Sequence, residues 1–243
     1  MLHIIDRTEQ TADIDTSRQR SRRTGRFLPI FGSQGRRRTR SVRDIDCIVL
    51  HATGFSRIDA PGRDRSGSEQ DDFDHTIAHF VVRQNGDVIR LRPYEVLLNN
   101  TLAESSVSIE FEGNFPPFDE IQRNRIGRSR HTLPLVQLFA GRALVQHIVQ
   151  ELNTVEMIFG HRQKTTLGAG RANCPGPYVW YNVGKWAVET LGLRNSGHGA
   201  EMIPVEWLDN RLDLLWGDVT PDFPTDEVSF RNMIQDLSNG QFY

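Results

Sequence analysis

The sequence lacks the features that mark a membrane protein or a disulfide-stabilised protein. Its 243 residues include only two cysteines, Cys47 and Cys174, which do not form a disulfide framework and do not require an oxidising compartment. No apolar run approaches the length of a bilayer span, and the opening stretch MLHIIDRTEQ lacks the apolar core of a Sec signal. We therefore expect synthesis in the cytoplasm without a Sec signal, and no membrane span.

The composition is typical of a globular protein with one sizeable domain, because 37% of the residues are hydrophobic and 25% are charged. Strand and helix patterns are mixed along the chain, and one antiparallel hairpin is evident. This pattern predicts an α/β or α+β fold, with a central mixed sheet flanked by helices. We place a polar arm at 1–43, a single domain at 44–195 and an extension at 196–243.

The arm combines many arginines with little hydrophobic periodicity, which is typical of a disordered segment. One interpretation is a site for an anionic partner such as nucleic acid, lipopolysaccharide or teichoic acid. The other is a solvated tail, which is the more common role of such charge blocks. Ordered structure is expected to begin near Asp44. The arginines concerned are Arg18, Arg20, Arg22, Arg23, Arg26, Arg36, Arg37, Arg38, Arg40 and Arg43.

Strand patterns begin directly after the arm. The apolar run at 47–50 predicts a buried strand at 46–51. Two further β-rich runs, at 78–84 and 87–91, are joined through Asn85 and Gly86, the pair that best tolerates a type I′ hairpin turn.

Another strand is predicted at 106–112, where polar and apolar residues alternate. Alternate residues of a strand lie on the same face, so Glu110 and Glu112 are expected to point the same way. An exposed carboxylate on a strand is ordinary, but this polar face would also suit a general acid–base. We assign that role to Glu110 and a structural role to Glu112.

Helices are predicted in the second half of the chain. Thr132 is suited to cap a helix that Asn153 ends, and a short strand follows at 155–159. A second amphipathic helix follows Pro177. The apolar residues at 207–216 suggest one docked helix in the extension.

Three residues have the chemistry and positions of zinc ligands. His51 ends the first strand, whereas His161 and Cys174 flank a short glycine-bearing loop. Two imidazoles and one thiolate leave a coordination position for water, as in catalytic zinc sites. Taken singly, a histidine at a strand end is usually hydrogen-bonded or exposed on the surface rather than a metal ligand, and a single cysteine is usually a buried thiol. Blue copper uses the same ligand types, but the compact Cys-His-Met run of those proteins is missing.

Four motifs in order resemble the zinc-dependent N-acetylmuramoyl-L-alanine amidases: IVLHATG, HTIAHFVVRQNGDVIRL, SVSIEFEG, and GHRQ followed by NCPGP. The resemblance covers about 44–191 and implies a central mixed sheet flanked by helices. It also implies that His51, His161 and Cys174 bind Zn²⁺ and that Glu110 is the catalytic carboxylate. The implied reaction is hydrolysis, by zinc-activated water, of the amide between N-acetylmuramic acid and the L-alanine of a peptidoglycan stem peptide or muropeptide.

Two positions depart from the pattern of this family, and the milder one is Ala78, where phage lysozyme-like members have Tyr. Ala172 lies two residues before the third ligand, where active members commonly have Lys or Thr. An alanine side chain has no hydrogen-bond donor for the developing oxyanion, so another cation is needed. We assign this role to Arg171, and Arg162 and Lys164 are the other cations nearby in the sequence.

Two other classes of function remain possible from the sequence. A peptidoglycan-binding or sensing module would keep the groove without turnover, and Ala172 favours it. A nucleic-acid binder would use the arginines of the arm, with an affinity that falls steeply with salt. For an amidase, the missing Sec signal suits a phage endolysin or an exported toxin acting on the cell wall. It equally suits an enzyme of cytoplasmic muropeptide recycling.

Overall fold

The computed structural model describes residues 2–11, 39–54, 73–74, 76–98, 100–115, 131–164 and 173–215, together with the backbone at 19–20 and 27–28. The chain forms an α/β fold around a six-stranded mixed sheet, as predicted. A separate pair of very short strands lies in the arm. The strands are β1 (Ile4–Asp6), β2 (Gln19–Arg20), β3 (Phe27–Leu28), β4 (Cys47–Ala52), β5 (Phe80–Val82), β6 (Val88–Arg90), β7 (Ser106–Phe111) and β8 (Met157–Gly160).

The order of strands in the sheet is β1-β6-β5-β7-β4-β8. Within this six-stranded sheet, β5 and β6 are antiparallel to each other. The other four neighbouring pairs are parallel: β1 with β6, β5 with β7, β7 with β4, and β4 with β8. The three parallel strands β7, β4 and β8 therefore end at the same edge of the sheet, and β4 lies between the other two. Loops that follow β4 and β8 are brought together at this edge.

The hairpin between β5 and β6 is present, but its turn is not of type I′. Gly86 has a φ of 87°, whereas Asn85 is not in the left-handed region, and a type I′ turn requires both. The Gly86 N–H donates to the Arg83 carbonyl at 3.0 Å, and the Arg83 N–H donates to the Asp87 carbonyl at 2.8 Å. This arrangement is a turn followed by a glycine bulge. The Asn85 side chain supports it by accepting from the Asp87 N–H at 3.1 Å.

One face of the sheet packs against the helices. Helix α1 (Leu135–Glu151) and the helical stretch formed by α2 (Pro177–Val179), a π-helix (Trp180–Lys185) and α3 (Trp186–Leu191) share one apolar core with β4, β5 and β7. Val107, Ile109 and Phe111 belong to this core, which confirms the predicted alternation of β7. In the part of the chain that the structure describes, no helix is long and apolar enough to cross a membrane.

The prediction that Thr132 caps α1 is wrong. The helix begins at Leu135, its N-cap is Pro134, and the cap makes no side-chain hydrogen bond. Thr132 is exposed. A proline disfavours helical backbone in the residue before it, so Leu133 cannot be part of the helix. Pro134 itself loses nothing at a helix start, because the first N–H groups of a helix have no partner within it.

The extension docks on the domain, but at 196–215 it contains two short 3₁₀ helices, Val205–Leu208 and Asn210–Leu212, rather than the predicted helix. Trp207 is fully buried in a cluster with Trp180 and Ile203. Asp209 accepts from the Arg211 N–H at 2.8 Å. Such local bonds of aspartate compete with the hydrogen bonds of a longer helix.

Ordered structure also begins earlier than expected. Strand β1 pairs with β6 in parallel, and Arg7 forms two hydrogen bonds to the Asp74 carboxylate, at 2.8 and 2.6 Å. The prediction of a disordered arm is therefore wrong for 2–11. The pattern fails here because a three-residue strand has no periodicity of its own and depends on its partner.

On the side of the sheet opposite β1, the outer strand β8 pairs with the chain that follows α3. The Ile158 N–H donates to the Arg194 carbonyl at 3.0 Å, and the Arg194 N–H donates to the Glu156 carbonyl at 2.8 Å. Strand β1 and Arg194 thus pair with strands on opposite sides of the sheet, β6 and β8.

Arg40 shows why one arginine of the arm is structural. Its guanidinium donates to the carbonyls of Tyr94 at 3.1 Å and Ser106 at 2.7 Å, and also to that of Ala103. Burial lowers the pKa of Arg40 to about 10, which leaves it charged near neutral pH. This side chain therefore links the segment after β6 to the chain around the start of β7.

Arg40→Ala should destabilise the protein by about 3 kcal/mol, because three carbonyls lose a charged donor. For a chain of this size, the loss corresponds to a fall of about 6–12 °C in the melting temperature. Thermal unfolding followed by circular dichroism measures it. Arg43→Ala is the matched control, since Arg43 is exposed. Equal melting temperatures for the two variants would show that water replaces the guanidinium at little cost.

Candidate functional site

The candidate site lies where the parallel strands end. His51 is the fifth residue of β4 and is fully buried between β7 and β8. His161 follows the last residue of β8 directly and opens the 3₁₀ helix His161–Lys164. Ligand and active sites of parallel sheets occur at the carboxyl ends of the strands. The two histidines are 110 positions apart in sequence, and the strand order brings them to this edge together.

The two imidazoles face one another closely. The Nδ1 atoms of His51 and His161 are 2.8 Å apart, and the ring centroids are 4.4 Å apart at an interplanar angle of 62°. The Cys174 Sγ joins them, so that the ligand atoms of all three residues lie within 4.8 Å of one another. Two imidazole nitrogens and one sulfur make a set of donors that suits a transition metal. The structure therefore brings together the three residues that the sequence indicated.

Cys174 is held in place by backbone contacts on both sides of the site. The Ala52 N–H donates to the Cys174 Sγ at 3.3 Å, and the Arg162 N–H donates to the Cys174 carbonyl at 2.9 Å. Gly176 has a φ of 102°, and a Cβ there would lie 2.0 Å from the carbonyl oxygen of Phe115. Only glycine fits at this point of the loop. These contacts fix the loop that carries the Cys174 Sγ beside β4.

Glu110 lies directly beside His51. The two residues are paired in register on the neighbouring parallel strands β7 and β4, so their side chains emerge on the same face of the sheet, at the strand spacing of about 4.8 Å. Glu110 is 8% exposed. A buried carboxylate next to the candidate metal ligands is placed to exchange protons with a group bound there.

Glu112 has a structural environment. It is 1% exposed, its Oε2 accepts from the Gln84 N–H at 3.2 Å, and it lies 3.7 Å from the Arg83 Nε. These contacts hold the start of the hairpin turn against β7. The interpretation of Glu112 as a structural partner agrees with this geometry.

His79 is a buried histidine of the core. Its Nδ1 accepts from the Ser108 N–H at 3.1 Å, so Nε2 carries the proton and donates to the Val96 carbonyl at 3.1 Å. Burial, followed by the charge of Arg40, lowers the pKa of His79 to about 3. Both ring nitrogens contact backbone groups, and neither is directed at a ligand.

Two of the three cations considered for the oxyanion, Lys164 and Arg162, lie among the described residues, and both side chains have other partners. The Lys164 Nζ donates to the His198 carbonyl. The Arg162 guanidinium lies 4.8 Å from the ring centroid of Trp207, and burial lowers its pKa while Glu206 and Glu201 raise it. Arg171 and Ala172 lie outside the described residues.

A second group of ligand-type atoms lies at the opposite end of β4. Asp46, Cys47 and His198 also have one such atom each within 4.8 Å of the others. Here the His198 Nε2 lies 3.0 Å from both Asp46 oxygens, and the Cys47 thiol donates to the Ser105 carbonyl at 3.3 Å. Burial raises the pKa of Cys47, which favours the thiol. A histidine–aspartate contact beside a buried thiol accounts for this group.

Gln163 was missed by the sequence analysis although it lies two residues after His161. It is 1% exposed, and its Oε1 accepts from the Gly160 N–H at 2.9 Å. The only signal in the sequence is its place in the GHRQ motif. Its partners lie in a distant segment, which no local pattern identifies.

Comparison with known families places this chain in one class. The N-acetylmuramoyl-L-alanine amidase family, Amidase_2, matches residues 41–177. The match spans more than half of the chain, and the protein therefore belongs to this family. A comparison with curated proteins gave no match.

Solved structures of amidases and of peptidoglycan recognition proteins are similar to this chain. N-acetylmuramoyl-L-alanine amidase LysC from Clostridium intestinale URNW is 18% identical, with a TM-score of 0.44 over 65% of this chain and 94% of that one. The Ph2119 endolysin from the Thermus scotoductus MAT2119 bacteriophage Ph2119 is 18% identical, with a TM-score of 0.43 over 74% and 98%. Bumblebee PGRP-SA is 15% identical, with a TM-score of 0.47 over 81% and 100%.

Proposed function

We propose that the protein is a zinc-dependent amidase that hydrolyses the bond between N-acetylmuramic acid and the L-alanine of the peptidoglycan stem peptide. The observation that carries this proposal is the convergence of His51, His161 and Cys174 within 4.8 Å, beside the buried Glu110. Membership of the amidase family supports the same reaction. His51, His161 and Cys174 would hold the ion, and a fourth position would remain for water or substrate.

An amide needs help at both ends, because its carbonyl is a poor electrophile and its nitrogen is a poor leaving group. Zinc bound in this site would polarise the carbonyl and acidify water. Glu110 would accept the proton of the attacking water and pass it to the departing nitrogen of L-alanine. The water oxygen would add to the carbonyl carbon first, and the C–N bond would then break as the nitrogen takes up the proton, which gives a muramyl carboxylate and a free amino group on the stem peptide.

The burial of Glu110 suits this role. Its place in register beside His51 puts the carboxylate on the face of the sheet where the ligand atoms converge. Because Glu110 is only 8% exposed, proton transfer would be directed to the substrate rather than to solvent.

Mass spectrometry of purified sacculi and soluble muropeptides, after incubation with the protein, tests the proposed function. We expect stem peptides with a free L-alanine amino terminus, loss of these products with a chelator, and their recovery with added zinc. Cleavage between sugars, or within the peptide, would contradict the proposed bond. Binding to sacculi without any cleavage would favour the alternative that Ala172 suggests, a peptidoglycan-binding module with little turnover.

The proposed oxyanion donor is Arg171. Arg171→Ala should lower kcat about a hundredfold on a soluble muropeptide while zinc content is unchanged, because one donor to the oxyanion is lost. Ala172→Lys in the same background should recover part of the rate by supplying an ammonium group. Arg162→Ala is the control, since Arg162 stacks on Trp207. If Arg171→Ala turns over like the parent, zinc and Glu110 suffice for the reaction.

A further inference from the structure

The side-chain amide of Gln163 is fully hydrogen-bonded beside the candidate metal centre. Its Oε1 accepts from the Gly160 N–H at 2.9 Å and from the Asn195 Nδ2 at 3.0 Å. Its Nε2 donates to the Asn195 Oδ1 at 3.0 Å and to the Glu201 carbonyl at 2.8 Å. An amide has two acceptor and two donor positions, and all four are used here. Gln163 is therefore fixed in one orientation.

Asn195 comes from the chain after α3, beyond the part that matches the amidase family. Besides its two bonds to Gln163, its Nδ2 donates to the Ile158 carbonyl at 2.6 Å. The two amides thus form a reciprocal pair that also binds the backbone of β8. The backbone of the neighbouring Arg194 pairs with the same strand. This pairing fixes the position of Asn195 opposite Ile158 of β8.

These bonds fix the chain on both sides of His161. Gly160, directly before the histidine, donates to the Gln163 side chain, and Gln163 itself lies two residues after the histidine. The Glu201 N–H also donates to the Gln163 carbonyl at 2.8 Å. The 3₁₀ turn that carries His161 is short, so contacts from outside the turn decide where the imidazole lies.

We propose that Asn195 is a positioning residue for the metal centre, which it acts on through Gln163 and the backbone on either side of His161. The inference rests on the proposed function in one respect, namely that the centre binds zinc. A residue outside the family match therefore completes the centre, although Asn195 is not itself a ligand. Partners that orient metal ligands typically change metal affinity by about tenfold to a hundredfold when they are removed.

Chelator competition on the full chain measures the effect. Asn195→Ala should weaken zinc binding by about tenfold. Arg194→Ala is the matched control, because it removes only the exposed ion pair with Glu156, at 2.8 Å, from the adjacent position. We expect its zinc affinity to stay within about twofold of the parent. Equal zinc affinities for Asn195→Ala and the parent would overturn the inference.

A double-mutant cycle separates positioning from general loss of structure. If the amide pair acts as a unit, Gln163→Ala and the double variant should weaken zinc binding about as much as Asn195→Ala alone, whereas additive effects would overturn the inference. Hydrogen exchange of the metal-free proteins supplies a second measurement. Asn195→Ala should speed exchange at 157–164 relative to Arg194→Ala, and unchanged exchange there would overturn the positioning role.

The outcomes also distinguish this inference from the proposed function. A parent protein that binds zinc without cleaving muropeptides would contradict the amidase proposal, and the zinc affinities of the variants would still decide the role of Asn195. An active parent whose Asn195→Ala variant keeps full zinc affinity would contradict the inference alone. A parent that binds no zinc would overturn both.

Discussion

Replacing Cys174 with alanine should abolish zinc binding and amide hydrolysis together. The two histidines that remain would leave the ion with half of a tetrahedral set, and the thiolate that balances its charge would be missing. Loss of the ion removes both the polarisation of the carbonyl and the acidified water, so no slower version of the same reaction is left. Metal analysis of the purified variant and muropeptide hydrolysis are the two measurements.

Cys47→Ala is the matched control for this experiment. Cys47 is the other cysteine of the chain, it is fully buried on β4, and its thiol bonds to the Ser105 carbonyl. This variant should keep its zinc and its activity. Full zinc occupancy in Cys174→Ala would remove Cys174 from the centre, and loss of zinc in Cys47→Ala would show that the effect is not specific to Cys174.

Glu110→Gln should retain zinc and fold but lose hydrolysis by a factor of about a hundred to ten thousand, which is the usual contribution of a general acid–base. An amide keeps the size of the carboxylate and one of its acceptor oxygens but cannot accept the proton of the attacking water. The measurement is kcat on a soluble muropeptide, with zinc content determined on the same sample.

Glu112→Gln controls for the removal of a buried carboxylate from the same region. Glu112 accepts from the Gln84 N–H, and the oxygen of a glutamine can do the same. Its rate should therefore stay close to that of the parent. If both variants hydrolyse equally well, the assignment of Glu110 as the general acid–base is wrong.

Features whose cause is local could be predicted from the sequence. The alternation in β7 identified the residues of the core face, and the Asn85-Gly86 pair located the hairpin. The turn type was missed because the left-handed φ is needed only at Gly86. The positions of His51 and His161 followed from strand ends, since the carboxyl ends of parallel strands meet at one edge of the sheet.

Features that depend on distant partners could not be predicted in this way. Arg40 belongs to a run of charge in the sequence, and only the carbonyls that converge on it distinguish it from its exposed neighbour Arg43. The bond between Gln163 and Asn195 joins positions 32 apart. Neither side chain has a pattern of its own, because each is defined by the geometry of the other.

The pairing at the two edges of the sheet has a consequence for self-association. Strand β1 covers β6, and the backbone of Arg194 pairs with β8. Exposed strand edges recruit strands from other molecules, and natural proteins avoid this by covering them. A protein trimmed to the matched residues 41–177 would lose the pairing of Arg194 and leave an open edge at β8, whereas on the other side β1 is itself a short edge strand of three residues. The chain after α3 therefore acts against intermolecular β-sheet formation at β8.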